Sequence, residues 1–274
     1  MGKTIIIESR NSHSRYWREV LSYRELFWVL AWRDVSVRYK QTAIGFVWAL
    51  LQPLFAMLVL TVIFGVLAKM PTEGETPYAL LVLCGMLPWQ MFANLFTGAS
   101  NSVVNNAQLV SKVYFPRIIM PIAAGVVSLI DLLIGLGLLL LVMLYYGVMP
   151  SWQIVFLPVF VLMALLTALG PGLFFASVNV KYRDVKYLLP IIVQLGLYIT
   201  PVGFSSSVVP ASWQWLYALN PMVGVVDGFR WVFLGEAVEF DLQSFMLSWF
   251  IILLFAGCGM VVFRKMERGF ADVV

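Results

Sequence analysis

Apolar residues occupy this chain in long blocks divided by short polar ones, and the blocks set its elements. No charged residue falls between Lys40 and Lys69, a stretch well beyond the ~20 apolar residues that cross a bilayer core. Together with the blocks that follow, it predicts six spans, at 42–68, 78–99, 118–146, 152–176, 187–204 and 245–263. A polar loop at 69–77, an Asn-rich run at 100–111, a turn at 147–152 and a charged loop at 181–186 separate the first five. Gln52-Pro53, Pro88 and Thr200-Pro201 interrupt three of the spans, and Gly170-Pro171-Gly172 predicts a bend near the end of the fourth.

Residues 211–234 are apolar enough to read as a seventh span, but Asn220 and Pro221 divide them into pieces too short to cross. They are therefore expected to form a re-entrant pair dipping into the outer leaflet. Backbone of that kind is tolerated at membrane depth only under protein or beside a water-filled cavity, which points to a pore mouth. Asp227 and Arg230 stand one helical turn apart in the second piece and are placed to pair.

Residues 1–23 mix Lys3, Glu8, Arg10, Arg15, Arg18 and Glu19 with no strong period, and read as a lead-in. Ser22 is a candidate N-cap for a helix from Tyr23, with Glu25 three residues on. Along it Trp28, Trp32, Val35 and Tyr39 form one stripe at helical period, and Leu26, Leu30 and Val37 a second stripe roughly opposite. This predicts an amphipathic interfacial helix, aromatic stripe in the headgroups and the other stripe on protein. The alternative is an ordinary helix packed on its own soluble domain. The division that follows is 1–41 lead-in and interfacial helix, 42–263 transmembrane domain, and 264–274 tail.

Composition agrees with a membrane protein. Of 274 residues 61% are hydrophobic and 12% charged, with a mean hydropathy of +0.90, whereas a typical soluble domain carries about 25% charged residues. The net charge of +4 invites a nucleic-acid reading, but the cations sit in short blocks between apolar runs and make no basic face. Eight of the eighteen Lys and Arg lie in 1–41, two at Lys112 and Arg117, three in 181–186 and three in the tail; Lys69 and Arg230 alone fall on the other side. That asymmetry predicts both termini in the cytoplasm. The polar first forty residues predict no cleavable signal peptide, and Ile6 fails the myristoylation pattern.

Little here supports catalysis or a metal. The single histidine, His13, lies in the polar lead-in; Cys84 and Cys258 lie in apolar runs and read as buried thiols. Gly2-Lys3-Thr4 lacks the glycine and strand of a phosphate-binding loop. Asp131 is the one ionisable residue deep in a span, at a cost of about 2.5–3.5 kcal/mol on insertion scales. It either lines a polar path or meets a partner helix, or it is satisfied locally near Ser128. Most aromatic residues fall at span ends as an interfacial belt, while a few, with Trp89 and Tyr198 as candidates, could face inward and stack on sugar rings. The outer side holds six carboxylates, Glu73, Glu75, Asp227, Glu236, Glu239 and Asp241, against two cations, which argues against a simple anion channel.

The run RDVSVRYKQTAIGFVWALLQPL at 33–54, KVYFPR at 112–117, YRD at 182–184 and Asn220-Pro221-Met222 resemble, in the same order, landmarks of the membrane subunit of bacterial ABC-2 type polysaccharide exporters. These move lipid-linked O-antigen, capsule or teichoic acid across the inner membrane. The resemblance implies a homodimer joined by two copies of a separate nucleotide-binding ATPase, with ATP and Mg on that partner and no cofactor on this chain. It implies that cytoplasmic loops couple to the ATPase, here Lys112, Tyr114, Phe115, Pro116 and Arg117, and Lys181, Tyr182, Arg183 and Asp184. A lipid pyrophosphate arriving from the inner leaflet would meet Arg33, Arg38 and Lys40. The short helices around Asn220 and Pro221 would shape the exit. The alternative on the same fold is an exporter of small lipids or drugs. A gradient-driven carrier predicts internal repeats, and none is visible by eye.

Overall fold

The computed structural model describes residues 13–40, 46–72, 74, 76–238 and 240–270. It is helical throughout, with no strand among the described residues. Lys3, Glu8, Arg10, Glu73, Glu75 and Glu239, and the start of the first span at 42–45, lie outside them. Eleven α-helices follow in order: α1 His13–Ser22, α2 Arg24–Lys40, α3 Phe46–Leu60, α4 Tyr78–Asn105, α5 Ala107–Lys112, α6 Ile119–Tyr146, α7 Leu157–Lys181, α8 Val185–Ile199, α9 Ala211–Tyr217, α10 Pro221–Leu234 and α11 Leu242–Met266. A π-helical segment, Thr61–Leu67, continues α3.

Among the described residues five helices are long and apolar enough to cross a membrane: α3 with its π-helical extension, α4, α6, α7 with the turn before it, and α11. The fifth predicted span is shorter. α8 has 15 residues, about 22 Å at 1.5 Å per residue, and Thr200-Pro201 ends it. The second predicted span is longer than its apolar block, because α4 continues through the polar run to Asn105. The reason is packing. Ser100 and Ser102 are buried, and the Asn179 amide of α7 donates to the Ser100 carbonyl at 3.2 Å and to Asn101 Oδ1 at 3.0 Å. Small and amide side chains of this kind allow close helix pairing in a membrane.

α4 is the central helix, in contact with α3, α6, α7, α8 and α10. One core cluster joins Leu80, Leu83, Leu87 and Met91 to Leu132, Leu139, Phe160, Met163, Val225 and Phe229. α7 crosses α11 so closely that a Cβ on Gly170 would lie 2.8 Å from the Ala256 nitrogen. Gly170 therefore serves this crossing, Gly172 faces Ala99 of α4, and α7 runs on past Pro171 to Lys181. α6 ends as its sequence demands: Gly147 takes φ +71°, and the Val148 amide bonds back to the Met143 carbonyl at 3.0 Å, the Schellman closure that favours glycine.

A second cluster forms at the basic end and takes in part of the lead-in. Tyr16, Leu30, Val110, Phe115, Ile118, Val180, Phe263 and Phe270 are buried together, with Val20, Tyr23 and Phe27 packed on them. Residues 13–22 are a helix in that core. Ser22 does not cap α2; its hydroxyl donates to the Glu19 carbonyl at 2.7 Å and closes α1. Along α2, Trp28 and Trp32 are exposed as expected, but so is Val37, while Leu30 and Ala31 are buried.

Candidate functional site

Three polar groupings organise the molecule, one at the basic end, one part-way along α6 and one at the opposite end. At the basic end the loop between α5 and α6 is anchored by the chain's two terminal segments. The Arg117 amide donates to Glu267 Oε1 at 2.6 Å, the Arg117 guanidinium donates to the Glu267 carbonyl, and the Tyr16 hydroxyl donates to Glu267 Oε2 at 3.0 Å. Arg264 lies over the Tyr16 ring at 4.4 Å, a cation–π contact. Burial pushes the Glu267 carboxyl above its ordinary value, against the opposing pull of the Arg117 amide and the Tyr16 hydroxyl. Burial and the Glu267 charge likewise hold the Tyr16 phenol well up.

Within that loop the predicted coupling residues divide. Phe115 and Pro116 are buried and Arg117 is half-buried, whereas Lys112 and Tyr114 are exposed. The Tyr23 hydroxyl reaches the Tyr114 carbonyl at 3.3 Å. In the second loop Lys181, Tyr182, Arg183 and Asp184 are all exposed while Val185 is buried, and Lys181 Nζ sits 5.3 Å from the Tyr182 ring centre. Val110, Phe115 and Val180 share one core, so both loops stand at the same end of the bundle.

The second grouping surrounds Asp131. Its carboxylate pairs with Arg38 at 2.6 Å, accepts the Tyr39 hydroxyl at 2.5 Å and accepts the Asn94 amide at 3.2 Å. Asp131 therefore meets partners on α2 and α4; local satisfaction at Ser128 is not what the structure shows. The contact also reorients α2. Its start touches the loop before α6 through Tyr23, and its last turn reaches a residue twelve positions into α6, about 18 Å along that helix. Tyr39, expected on the headgroup stripe, points inward for this reason.

Beside the pair, between α2, α4 and α6, opens a cavity of about 440 Å³ lined by Arg33, Asp34, Arg38, Asn94, Asn105 and Asn106 among others. Arg33 bridges Asp34 at 2.7 Å and donates to Asn106 Oδ1 at 2.7 Å. Lys40 is not part of the lining; its ammonium lies over Trp32 at 5.2 Å. In the sequence Asp131, Arg33 and Arg38 stand out separately, and nothing there marks Asn94 and Tyr39 as partners of Asp131. Tyr39 was hidden by its place in an aromatic stripe.

At the opposite end Arg230 is completely buried. It donates to the Pro201 carbonyl at 2.5 Å and to the Val202 and Leu81 carbonyls at 3.4 Å each, and meets Asp227 at 3.5 Å. The Ser206 hydroxyl donates to both Asp227 oxygens, at 2.7 and 2.6 Å. Asn220 caps α10 through the Met222 amide at 3.1 Å and donates to Thr200 Oγ1 at 3.0 Å, with Pro221 in the first turn. α9 and α10 are thus two short helices divided where the sequence places the break, and Arg230 ties the second to the chain leaving α8.

The two aromatic candidates separate. Trp89 is buried, its ring 5.2 Å from Phe92, in a cleft of about 410 Å³ that α7, α8 and α10 also line. Tyr198 is exposed on α8. α8 and α3 with its π-helical extension carry the barest apolar surfaces, with Ile191, Leu195 and Ile199 on one and Phe55, Val62 and Val66 on the other. Phe64, just beyond α3, packs against Gly203, just beyond α8. Among the described residues no group of His, Cys, Asp and Glu could hold a metal ion.

Comparison with known proteins places this architecture. The family model described as ABC-2 type transporter matches residues 25–234. The chain is 27% identical over 259 residues to the O-antigen export system permease protein RfbA of Myxococcus xanthus, covering 94% of this chain and 98% of that protein. It is 25% identical over 255 residues to a Klebsiella pneumoniae protein of the same description, covering 91% and 95%. To the polysialic acid transport protein KpsM of Escherichia coli it is 25% identical over 243 residues, covering 86% and 91%.

Proposed function

This chain belongs to the ABC-2 type transporter family, and on that premise we propose that it is the membrane subunit of an ATP-driven exporter of lipid-linked polysaccharide. It works in the bacterial inner membrane as a homodimer, with two copies of a separate ATPase that bind ATP and Mg. Six segments cross the bilayer, α8 with the residues after it making the fifth, and both termini face the cytoplasm. α9 and α10 are re-entrant and bound the exit.

One observation carries the reading. Two loops at the basic end, rooted in a single core, present Lys112, Tyr114 and the run from Lys181 to Asp184 outward, in a sequence with no Walker A pattern. Such a face suits a docked engine. Sixteen of eighteen cations on that side support its cytoplasmic placement. The apolar walls of α3 and α8 flank α4 and suit closure by a second copy, with Tyr198 among the side chains turned toward the path. Arg33 and Arg38 are the candidates to receive the pyrophosphate.

The test is co-purification from native membranes followed by ATPase assay. An ATPase is expected to come with the chain, and a Lys112→Glu, Tyr114→Ala variant should bring down several-fold less of it. Stimulation of hydrolysis by lipid-linked glycan favours the polysaccharide reading, and stimulation by hydrophobic drugs alone favours the small-lipid or drug exporter. Transport activity in a preparation free of any ATPase would contradict both.

A further inference from the structure

The cavity beside Asp131 is electrically closed. Each guanidinium in its lining already faces a carboxylate: Arg33 meets Asp34 at 2.7 Å, and Arg38 meets Asp131 at 2.6 Å. The two pairs differ in kind. Arg33 and Asp34 are neighbours on α2, with side chains 47% and 33% exposed, whereas Asp131 belongs to α6 and is 13% exposed. The first pair is a surface pair of little consequence. The second joins two helices, with Arg38 39% exposed and Asp131 largely covered, so its rearrangement moves structure.

We infer that Asp131 is an internal counter-ion that an incoming phosphate-bearing headgroup displaces from Arg38, so that loading this cavity releases α2 from α6. Arg38 and Asn94 are the residues that make exchange feasible, because both line the cavity and both contact Asp131. A pyrophosphate at the cavity wall meets the same guanidinium and the same amide that the carboxylate holds, together with Arg33 and Asn106. A doubly charged, multidentate oxyanion competes well for a guanidinium fork. When Arg38 turns to it, Asp131 keeps its bonds from Tyr39 and Asn94, or takes a proton, so no bare carboxylate is left. Signal then passes along α2, because Tyr23, the residue immediately before it, holds the loop before α6 through the Tyr114 carbonyl. The inference rests on the exporter reading only for the identity of the ligand.

The competition has a measurable sign. If Arg38 is available to the ligand about one-tenth of the time, apparent affinity is weakened about tenfold. Removing the competing charge returns that factor. The experiment uses the full chain in phosphatidylcholine nanodiscs, with farnesyl pyrophosphate, inorganic pyrophosphate and farnesol as probes in a binding titration. Asp131→Asn, which keeps an acceptor for Tyr39, is expected to bind farnesyl pyrophosphate about tenfold more tightly than the wild type, Arg38→Gln more weakly, and the double variant like Arg38→Gln. Equal tightening for inorganic pyrophosphate supports exchange driven by the headgroup alone; tightening only for the farnesyl form supports it with the lipid chain as part of the ligand. Farnesol should be unaffected.

Wild-type binding with no gain, or a loss, in Asp131→Asn overturns the inference and leaves the exporter reading standing. No pyrophosphate binding by any form overturns the inference together with the assignment of Arg33 and Arg38. Should Asp131→Asn fail to insert, spin labels at Val37→Cys and Val127→Cys, across the cavity, in a Cys84→Ala, Cys258→Ser background decide the matter. A separation that widens with farnesyl pyrophosphate but not with farnesol supports release of α2, and an unchanged separation overturns it.

Discussion

Arg230 shows how much a single side chain does at the non-basic end. A guanidinium with no solvent contact survives only if its donors are spent, and here three backbone carbonyls and Asp227 take them. Arg230→Met removes the bonds that hold the Pro201 and Val202 carbonyls. The expected loss is on the order of 3 kcal/mol, read as a lower thermal midpoint in detergent with protease cleavage appearing near residues 200–208. Replacing Gly259 by Leu should be comparably damaging at the α7–α11 crossing, where the Gly170 carbonyl already abuts that position. The Asp227–Arg230 spacing was legible in the chain as a helical-turn pair. The carbonyls Arg230 serves were not, since they lie 149 and 29 residues away and no local pattern encodes so distant a contact.

The two terminal segments make the case for whole elements. Tyr16, Val20, Tyr23 and Phe27 recur at i, i+4, i+7 and i+11, a stripe that runs through the break at Tyr23, with Tyr16 buried in the core at the basic end and the other three packed against it. Dense mixed charge on the other faces masks it in the sequence. The tail was legible only as a basic end. Glu267 gains its place from burial against Tyr16 and Arg117, which the sequence cannot bring together. Its raised carboxyl value gives the node a pH dependence with a fixed sign. The folded chain holds this proton more readily than the unfolded one, so the contribution is full below the ordinary value of 4.5 and fades as pH rises through the raised value. The thermal midpoint should therefore fall as pH climbs from about 4.5 toward neutral, and Glu267→Gln should flatten that fall. An identical slope in the variant would show that other groups set it.

At the scale of the whole molecule, hydropathy and punctuation located every apolar block, because a bilayer leaves few alternatives to a helix of sufficient length. Of the boundaries that moved, one has a cause outside its block and another a cause within it. α4 extends through Ser100 and Asn101 because Asn179 supplies a partner, and α8 stops at Ile199 because Thr200-Pro201 ends it. The internal arrangement, with α4 at the centre and α3 and α8 left bare, follows from which small residues meet which, and single-chain periodicity does not rank those pairings. What the bare surfaces are for is the central claim of the proposed function, that a second copy and an engine complete the machine. The most direct measurement places the purified chain in proteoliposomes carrying lipid-linked glycan on the outer leaflet, with its ATPase and ATP added outside, and follows passage of glycan to the lumen by protection from an added glycosidase. Protection that requires the chain, the ATPase and ATP together is the expected result. Protection that develops with the chain alone, at the same rate without ATPase or ATP, would contradict the account.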